Sequence, residues 1–335
     1  MFLTGAESEY MHNPDVSVII VNWNTRDMTC ACIQSVYDQQ KDVSVEIVVV
    51  DNASSDDSAK AIREKFADIV LIANSTNRGF AAANNQGIEI AKGRYILLLN
   101  SDTLVLDQAI DKCVKFADTE TSIGVLGCRI LNADHTLQPS CFMFPSILNM
   151  TLATTYLYKV FPMNRFFARE HMGWWDRDDV RDVEVVTGCF MLIRREVIDS
   201  VGLLDEDYFM YGEETDFCFR TKKAGFRNVF IPDAQIIHYG GSSSENMRLA
   251  MLLQTRASIL QFLKKRKGVI AYWFGCAAFS LHSIVRIPYW LIKLVVCKSG
   301  REASRERIRA YSLCAVRSLL GWQGLSYVPD ETKEK

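Results

Sequence analysis

Two carboxylates stand at the ends of apolar runs, where a side chain can reach a ligand. YILLLN at 95–100 is followed by Ser101 and Asp102, and EIVVVD at 46–51 ends in Asp51. Such runs are typical of strands buried on both faces, and open α/β sheets bind ligands at the carboxyl ends of their strands. Asp51 can accept hydrogen bonds there from a base or a ribose. Each carboxylate taken alone is equally explained as a helix cap or a turn residue.

A third polar site lies in NRGFAAANNQGI at 77–88, where a helix is predicted. Arg78 and Gly79 stand at its start, and the free N–H groups and positive end of a helix favour an anion. Asn84 and Asn85 are poor helix formers in its interior, which indicates a polar role facing a crevice.

A group of carboxylates follows in FMYGEETDFCFR, where Glu213, Glu214 and Asp216 crowd the start of a predicted helix. For any one of them, favourable interaction with the helix N-terminus is a sufficient explanation. A carboxylate in such a place can also take a proton as a general base.

Alternating apolar and amphipathic segments predict the elements that position these residues. Strands are predicted at 16–21, 46–51, 69–73, 95–99 and 123–128, and helices at 28–39, 58–66, 80–91 and 109–117. Strands separated by helices of this length form right-handed βαβ units and a largely parallel sheet. The sequence therefore predicts an α/β, Rossmann-like nucleotide-binding fold in which Asp51, Arg78 and Asp102 converge on one cleft.

The middle of the chain, roughly 131–183, loses this periodicity and gains aromatic residues, among them Trp174 and Trp175. It is either an acceptor-binding subdomain with mobile loops or ordinary core packed under long loops. The regular pattern returns at 183–195 and in a further strand at 228–239.

The last part of the chain is basic and aromatic. Between residues 256 and 320 there are thirteen lysines and arginines and two glutamates, interleaved with the apolar stretch 269–296. The uninterrupted apolar part is about a dozen residues, shorter than the roughly 20 that cross a bilayer. The interruptions are His282, Arg286, Pro288 and Lys293. This pattern predicts an interfacial helix pair on anionic lipid, and the alternative is a buried helical hairpin or a dimer interface.

Composition and missing motifs exclude several classes of protein. The net charge of −2 gives no basic signature, so no nucleic-acid partner is expected. The ten cysteines form no C-x-x-C pair and are expected to be reduced core residues. No secretory signal is visible in residues 1–14, which are expected to form a loose arm. The turn NWNTRD after the first strand lacks G-x-G-x-x-G, and no Walker A sequence occurs.

The order of the motifs resembles that of the family 2 glycosyltransferases with the GT-A fold. VSVIIVNWNT, VVVDNASSDD, NRGFAAANN and LLLNSDT are followed by VTGCFMLIRR, DEDYFMYGEETDFCFR and IIHYGG. The resemblance covers about Val16 to Gly241 and is closest to bacterial rhamnosyltransferase-like enzymes of polysaccharide assembly.

The resemblance implies roles for the strand-end residues. Asp51 would contact the nucleotide base or ribose, and Arg78, Gly79 and Asn84 would line the nucleotide pocket. The other residues expected to bind substrate are Asn24, Asn100, Ser101, Thr187, Gly188, Trp174 and Trp175.

The resemblance also implies a metal. The stretch NSD at 100–102 stands where the family carries its D-x-D motif, with Asp102 as the metal-binding aspartate. Mg²⁺ or Mn²⁺ would bridge this carboxylate to the donor diphosphate. Asn100 departs from the acidic form of the motif. His238 matches a histidine that ligates the metal in some members, and a structural role for it is an equal alternative.

The same comparison points to the base. Family members usually show Glu-Asp where this chain has Glu213-Glu214, and their base is the second residue, so Glu214 is predicted to be the general base. Glu213 would then bond backbone or acceptor. Asp216 is the third candidate of this catalytic group, and we expect it to support the helix start or to orient the loop.

The predicted function is metal-dependent, inverting transfer of a sugar to a lipid-linked or saccharide acceptor in cell-surface polysaccharide (O-antigen) biosynthesis. The expected donor is dTDP-L-rhamnose, and the alternative donors are a UDP-hexose or a UDP-N-acetylhexosamine. The alternative from another class is a non-catalytic nucleotide-sugar-binding scaffold.

The predicted domain organisation has three parts. An arm at 1–14 precedes a GT-A domain at 15–245, whose acceptor subdomain is about 131–241, and residues 246–335 form a membrane-associating region. The expected location is peripheral, on the cytoplasmic face of the cell membrane. The expected partner of the C-terminal region is an anionic membrane surface, and the alternative is a second copy of the chain.

Overall fold

Four parallel strands form one half of the main sheet. In chain order the elements are β1 (Val16–Asn22), α1 (Arg26–Gln39), β2 (Val45–Asp51), α2 (Ser58–Lys65), β3 (Val70–Ala73), α3 (Phe80–Ile90) and β4 (Tyr95–Asn100). β1 pairs with β2 on one side and β4 on the other, so that Asn22 lies opposite Asp51 and Val21 opposite Asn100. The polar strand ends therefore share one edge, as the sequence predicts.

The middle of the chain adds six strands and three helices. They are β5 (Thr103–Leu106), α4 (Ala109–Ala117), β6 (Ile123–Leu131), β7 (Leu137–Gln138), β8 (Cys141–Phe142), α5 (Ile147–Thr155), α6 (Leu157–Val160), β9 (Arg181–Asp182) and β10 (Val185–Val186). β5 directly follows the turn at Ser101 and Asp102.

The remaining elements complete the sheet. They are β11 (Phe190–Arg194), α7 (Arg195–Val201), α8 (Glu213–Lys223) and β12 (Arg227–His238). The strand order is β3-β2-β1-β4-β11-β6-β12-β5. β11 is antiparallel to both of its neighbours, so the sheet is mixed. The prediction of an α/β fold is confirmed, with fewer parallel pairs than the alternating pattern indicated.

Helices cover both faces of this sheet because its strands are apolar on both. Ile33 of α1 and Ile62 of α2 pack on one face. Ile88 of α3 and Phe217 of α8 pack on the other, together with Phe262 from the C-terminal region.

The C-terminal region is helical. It comprises α9 (Arg248–Phe262), a π-helical turn (Leu263–Lys267), α10 (Val269–Val296) and α11 (Arg301–Leu319). The expected helix pair within 269–296 is wrong, since α10 runs unbroken through Pro288. Its buried face packs on α9 and α11 in a core that includes Leu260, Tyr272 and Cys314. This packing holds the helix together where the proline removes a hydrogen bond.

The computed structural model describes residues 13–240, 248–296 and 300–322. Most of the predicted arm at 1–14 and the predicted boundary at 245–246 fall outside these ranges. Of the described helices, only α10 is long and apolar enough to cross a membrane by length and composition.

Candidate active site

Asp51 is held at the end of β2 by a buried asparagine. The carboxylate is 3% exposed, and its Oδ1 accepts a hydrogen bond from Nδ2 of Asn22 at 2.6 Å. Its Oδ2 accepts from the backbone N–H of Ser54 at 3.2 Å. Asn22, which sequence reasoning missed, is fixed in turn by hydroxyl donors on α1 and before it, among them Thr29 at 2.6 Å. Asp51 is thus a rigid acceptor at the sheet edge.

The loops after β1 and β2 are tied together. Oδ1 of the exposed Asn24 accepts from the N–H of Ser55 at 2.7 Å. Asn52, buried after β2, accepts from the N–H of Arg78 at 3.0 Å and donates to Oδ1 of Asn77. This amide network positions the segment before α3. In the sequence, its asparagines have the pattern of ordinary turns.

The start of α3 meets the loop that precedes α8. Gly79 has φ +83°, and a Cβ there would lie 2.5 Å from the carbonyl oxygen of Phe209. The N–H of Phe80 donates to that same oxygen at 2.7 Å, so this helix amide is not free for an anion. The side chain of Arg78 is exposed and forms no ion pair within the described ranges. Arg78, rather than the helix N-terminus, is therefore the group here that can reach a phosphate.

The two asparagines inside α3 are buried. Asn84 donates from Nδ2 to the carbonyl of Phe80 in its own helix, at 2.9 Å. Asn85 donates to the carbonyl of Leu204 and accepts from its N–H, at 2.9 and 3.0 Å. Asn85 therefore ties α3 to the loop after α7, and the expectation that it faces the crevice is wrong.

Asp102 and His238 are brought together by the antiparallel pairing of β5 with β12, in which His238 lies opposite Thr103. Nε2 of His238 is 3.3 Å from Oδ1 of Asp102 and 3.2 Å from Nδ2 of Asn100. Nδ1 donates to Oε1 of Gln138 at 2.7 Å. Because that bond takes the ring proton, Nε2 presents its lone pair towards Asp102.

This pair fits a divalent cation that takes its other ligands from substrate and water. A carboxylate is a preferred ligand of Mg²⁺ and Mn²⁺, and an imidazole can also bind a metal; the bond to Gln138 orients the ring as second partners of metal ligands do. The carboxylate of Asp102 is 14% exposed, so it is open to a ligand. No set of three or more His, Cys, Asp and Glu that could hold a metal occurs within the described part of the chain.

Ser101 completes the turn beside the pair. Its hydroxyl is 2.9 Å from that of Thr25, which links the tip of β4 to the loop after β1. The N–H of Asn100 donates to the carbonyl of Cys189 at 3.1 Å. The turn at 100–102 therefore touches the segment that contains Thr187 and Gly188.

Gly188 stands between the start of α3 and the start of α8. A Cβ at this glycine would lie 3.4 Å from the ring of Phe80 and 3.9 Å from Cβ of Glu214. The neighbouring Thr187 is fixed by its N–H, which donates to the carbonyl of Ser140 at 3.2 Å. A small residue here keeps the space beside Glu214 open.

Glu213 and Glu214 begin α8. Burial raises the pKa of Glu213 well above its ordinary 4.5, and the charge of Glu214 raises it further. Burial also raises the pKa of Glu214, while backbone N–H groups lower it. One of these is the N–H of Gly212, which donates to Oε2 of Glu214 at 3.1 Å. Burial therefore favours a proton on Glu213, and the backbone N–H groups favour the charged form of Glu214.

Tyr211, in the loop before α8, was missed in the sequence. Burial raises the pKa of its phenol to about 12, and the charges of carboxylates, Glu214 and Asp102 among them, raise it further. The hydroxyl thus stays protonated. The residue has a left-handed backbone with φ 64°, which is uncommon for a tyrosine and marks a constrained loop.

The model of glycosyl transferase family 2 matches residues 17–202, more than half of the chain. The chain belongs to glycosyltransferase family 2. It is 26% identical over 276 residues to N-acetylglucosaminyl-diphospho-decaprenol L-rhamnosyltransferase of Mycobacterium tuberculosis, covering 79% of this chain and 88% of the relative. It is 36% identical over 257 residues to the succinoglycan biosynthesis protein ExoO of Rhizobium meliloti, covering 75% and 69%.

A solved structure shows the same fold. The mannosyltransferase PcManGT of Pyrobaculum calidifontis, in complex with GDP-Man and Mn²⁺, aligns with a TM-score of 0.54 at 18% identity. The alignment covers 93% of this chain and 89% of that one. The predicted GT-A fold and the family resemblance are thereby confirmed.

Asp216 of this glycosyltransferase lies away from the open part of the site. Its carboxylate is fully buried and accepts from Nε of Arg220 at 2.8 Å and from Nη2 of Arg266 at 3.0 Å. Because both of its oxygens are bound to guanidinium groups, Asp216 supports α8 and is not placed to accept a proton.

Trp174 and Trp175, expected to bind substrate, have different surroundings. Trp175 is 3% exposed and packs on Phe230 with ring centroids 4.8 Å apart. Phe230 pairs with Gly127, four residues before the end of β6 at Leu131, which is roughly 13 Å along a strand. The ring of Trp174 is covered by the guanidinium of Arg165, at 4.5 Å. Of the two open alternatives, Trp175 is core.

Proposed function

We propose that this family 2 enzyme is an inverting glycosyltransferase that takes its sugar from a nucleotide-sugar donor bound at the strand ends. One arrangement supports the proposal: Asp51 and the contact of Asp102 with His238 lie at strand ends, and Glu214 begins α8 beside Gly188. We assign Asp51 to the nucleotide, Asp102 and His238 to a metal, and Glu214 to the base. A non-catalytic scaffold has no use for such a base.

Asp102 and His238 would hold Mg²⁺ or Mn²⁺. When bound, the cation neutralises the charge that develops on the departing diphosphate. The neutral Asn100 beside the pair contributes no charge, so the protein supplies a single carboxylate. The diphosphate of the donor is the remaining source of charged oxygen ligands.

The side chains of the protein supply the proton chemistry. Glu214 takes the proton of the acceptor hydroxyl as its oxygen attacks the anomeric carbon on the face opposite the leaving group. Gly188 leaves room for the sugar ring next to Cβ of Glu214. The protonated phenol of Tyr211 would donate a hydrogen bond to the substrate.

The donor we favour is dTDP-L-rhamnose, and the acceptor a lipid-linked saccharide, in the assembly of a surface polysaccharide. The relative from Mycobacterium tuberculosis, which aligns over most of both chains, is named for rhamnosyl transfer to a diphospho-decaprenol acceptor. UDP-sugars are the alternative donors.

The enzyme would work on the cytoplasmic membrane surface with α10 as its contact. Exposed apolar side chains share one face of this helix, which is about 42 Å long, at spacings of one, three and seven residues. They are Ile270, Trp273, Phe274, Leu281, Ile284, Val285, Ile292 and Val295, here termed the apolar stripe. Because the opposite face is buried in protein, the stripe suits a helix lying in the membrane surface. The basic run Lys264–Lys267 precedes it.

A donor panel tests the proposal. The purified full chain is incubated with a diphospho-polyprenol-linked acetylated aminosugar, Mn²⁺ and, separately, dTDP-L-rhamnose, UDP-glucose or UDP-N-acetylglucosamine. We expect sugar transfer and nucleotide release with dTDP-L-rhamnose. Transfer only from a UDP-sugar would replace the donor assignment, and donor binding without turnover in every case would favour the scaffold.

A further inference from the structure

Cations gather around the ring of Tyr156, where α5 meets α6. The guanidinium of Arg286, on α10, lies 3.8 Å from the ring centroid, and Nζ of Lys159 lies 5.4 Å from it. The imidazole of His282 stacks on the same ring, with centroids 5.7 Å apart. These four residues are termed the cationic site. They come from two separate parts of the chain, so the fold assembles them.

A second guanidinium lies behind this site. Arg256, 5% exposed, donates to the hydroxyl of Ser283 at 2.7 Å, and the rings of Phe279 and Tyr311 lie 5.0 and 5.6 Å from its guanidinium. Arg286 donates to the hydroxyl of Tyr311 at 2.7 Å. The two arginines thus share one aromatic ring.

No carboxylate compensates this charge within the described part of the chain. Lys159, Arg256 and Arg286 form no ion pair there. Aromatic rings offset part of the cost of grouping cations, but buried like charges without a counter-ion remain unfavourable. The cluster is therefore complementary to an anion.

An apolar groove ends beside the cationic site. It lies between α5 and α10, has a volume of about 200 Å³, and is lined by Thr154, Phe274 and Leu281 among others. Thr154 is two residues before Tyr156, and Leu281 is next to His282. Phe274 and Leu281 also belong to the apolar stripe, so the groove opens onto the surface that we assign to the membrane.

We propose that the cationic site and the groove together bind a phosphate-bearing polyprenyl lipid. The phosphate lies against Arg286 and Lys159, and the first part of the hydrocarbon chain lies in the groove. Cations alone would accept any anion and an apolar groove any chain, whereas their juxtaposition selects a lipid with both. The inference deepens the proposed function, on which it rests, by giving the lipid-linked acceptor a site of its own.

Binding to vesicles tests the site without any donor. Fluorescently labelled full chain is titrated with phosphatidylcholine vesicles that contain undecaprenyl phosphate, and with vesicles in which phosphatidylglycerol supplies the same charge. We expect Arg286→Gln and Lys159→Gln each to weaken binding to the undecaprenyl phosphate vesicles by about tenfold or more. Binding to the phosphatidylglycerol vesicles should change little.

Lys293→Gln is the matched control. Lys293 also lies on α10 and over an aromatic ring, that of Trp290 at 4.9 Å, but not at the cationic site. We expect this variant to bind both vesicles as the unaltered chain does. Lys159 is exposed, so its variant keeps the test decisive even if Arg286→Gln fails to fold.

Two outcomes would overturn the inference. Undiminished binding of the undecaprenyl phosphate vesicles by both variants would remove the site. An equal loss on both kinds of vesicle would make the cluster a general contact for anionic lipid. Neither outcome depends on sugar transfer. The vesicle titration can therefore support the lipid site when the donor panel fails, and the donor panel can succeed when the vesicle titration fails.

Discussion

Glu213 and Glu214 are chain neighbours with different surroundings. Glu213 is 4% exposed, and its Oε2 is buried without a hydrogen-bond partner among the described residues. Glu214 is less buried and accepts from the N–H of Gly212. The geometry supports Glu214 as the base, because it alone of the two faces the space beside Gly188.

Glu214→Gln should therefore lower turnover by about 100-fold or more, with donor binding nearly intact. The amide keeps the shape of the side chain but removes its basic lone pair. Steady-state kinetics and donor titration together measure the effect. Near-normal turnover in this variant, with an inactive but folded Glu213→Gln or Asp216→Asn, would move the base to that neighbour.

The raised pKa of Glu213 makes stability depend on pH. Between the ordinary value of 4.5 and the raised one, the folded chain holds a proton that the unfolded chain releases. The free energy of unfolding should then fall as pH rises through that window. Glu213→Gln removes this loss, so denaturant unfolding should show the variant gaining on the unaltered chain as pH increases. A pH-independent difference between the two would contradict the assignment.

At the scale of elements, the C-terminal region holds the helix that carries the base. Arg266, in the π-helical turn after α9, binds the carboxylate of Asp216, two residues beyond Glu214. Lys265 reaches the loop before α8, with Nζ 2.7 Å from Oδ2 of Asp205. The region expected to act only as a membrane anchor is therefore also part of the frame of the site.

Removing the charge of Asp216, the buried partner of Arg266, should destabilise the fold. Asp216→Asn leaves two guanidinium groups without their anion, and we expect the free energy of unfolding to fall by about 3 kcal/mol. Lys265→Gln, which removes a more exposed pair one residue away from Arg266, should cost no more than about 1 kcal/mol. Denaturant unfolding compares the two variants. Equally small losses of unfolding free energy would show that the contact of Arg266 with Asp216 contributes little to stability.

For the whole molecule, the contact between the C-terminal region and α8 decides which variants can test membrane binding. Truncation near residue 246 removes Arg266 as well as α10, so loss of binding could reflect loss of the fold. Val285→Glu with Ile292→Glu instead places charges on side chains that are 65% and 64% exposed. We expect flotation with anionic vesicles to be lost and thermal unfolding to be unchanged.

Val70→Glu is the control for that experiment, since Val70 is 46% exposed at the edge strand β3. It adds a charge to an exposed apolar residue outside the stripe and should float as the unaltered chain does. Full flotation of the stripe variant would contradict the membrane assignment and favour a contact with another protein copy.

The strand ends could be predicted because local pattern decides them. Apolar runs of five or six residues fix β2 and β4, and with them the places of Asp51 and Asp102. The contact of Asp102 with His238 could not be predicted in this way. It depends on the pairing of β5 with β12 and on a register shift in β12 between Ile231 and Gln235. Tertiary contacts of this kind have no local signal.

Other differences have the same origin. The interruptions at Arg286 and Pro288 suggested two helices, yet packing against α9 and α11 keeps α10 whole. The asparagines after β1 and β2 carry the pattern of ordinary turns, and only the folded loops show that Asn22 and Asn52 support the site. Trp175 lies in an aromatic-rich segment of the kind that forms binding surfaces, but its side chain is buried in the core.

We expect a nucleotide diphosphate and a divalent cation to bind together at the strand ends that carry Asp51 and Asp102. Calorimetric titration with dTDP and with UDP, with and without Mn²⁺, tests it on the unaltered chain, on Asp102→Ala and on the control Asp107→Ala, whose carboxylate is exposed. We expect Mn²⁺ to strengthen binding of one nucleotide, and this gain to vanish in Asp102→Ala alone, with its thermal unfolding unchanged. Undiminished Mn²⁺-dependent binding in Asp102→Ala, or full turnover in the presence of a chelator, would contradict the claim.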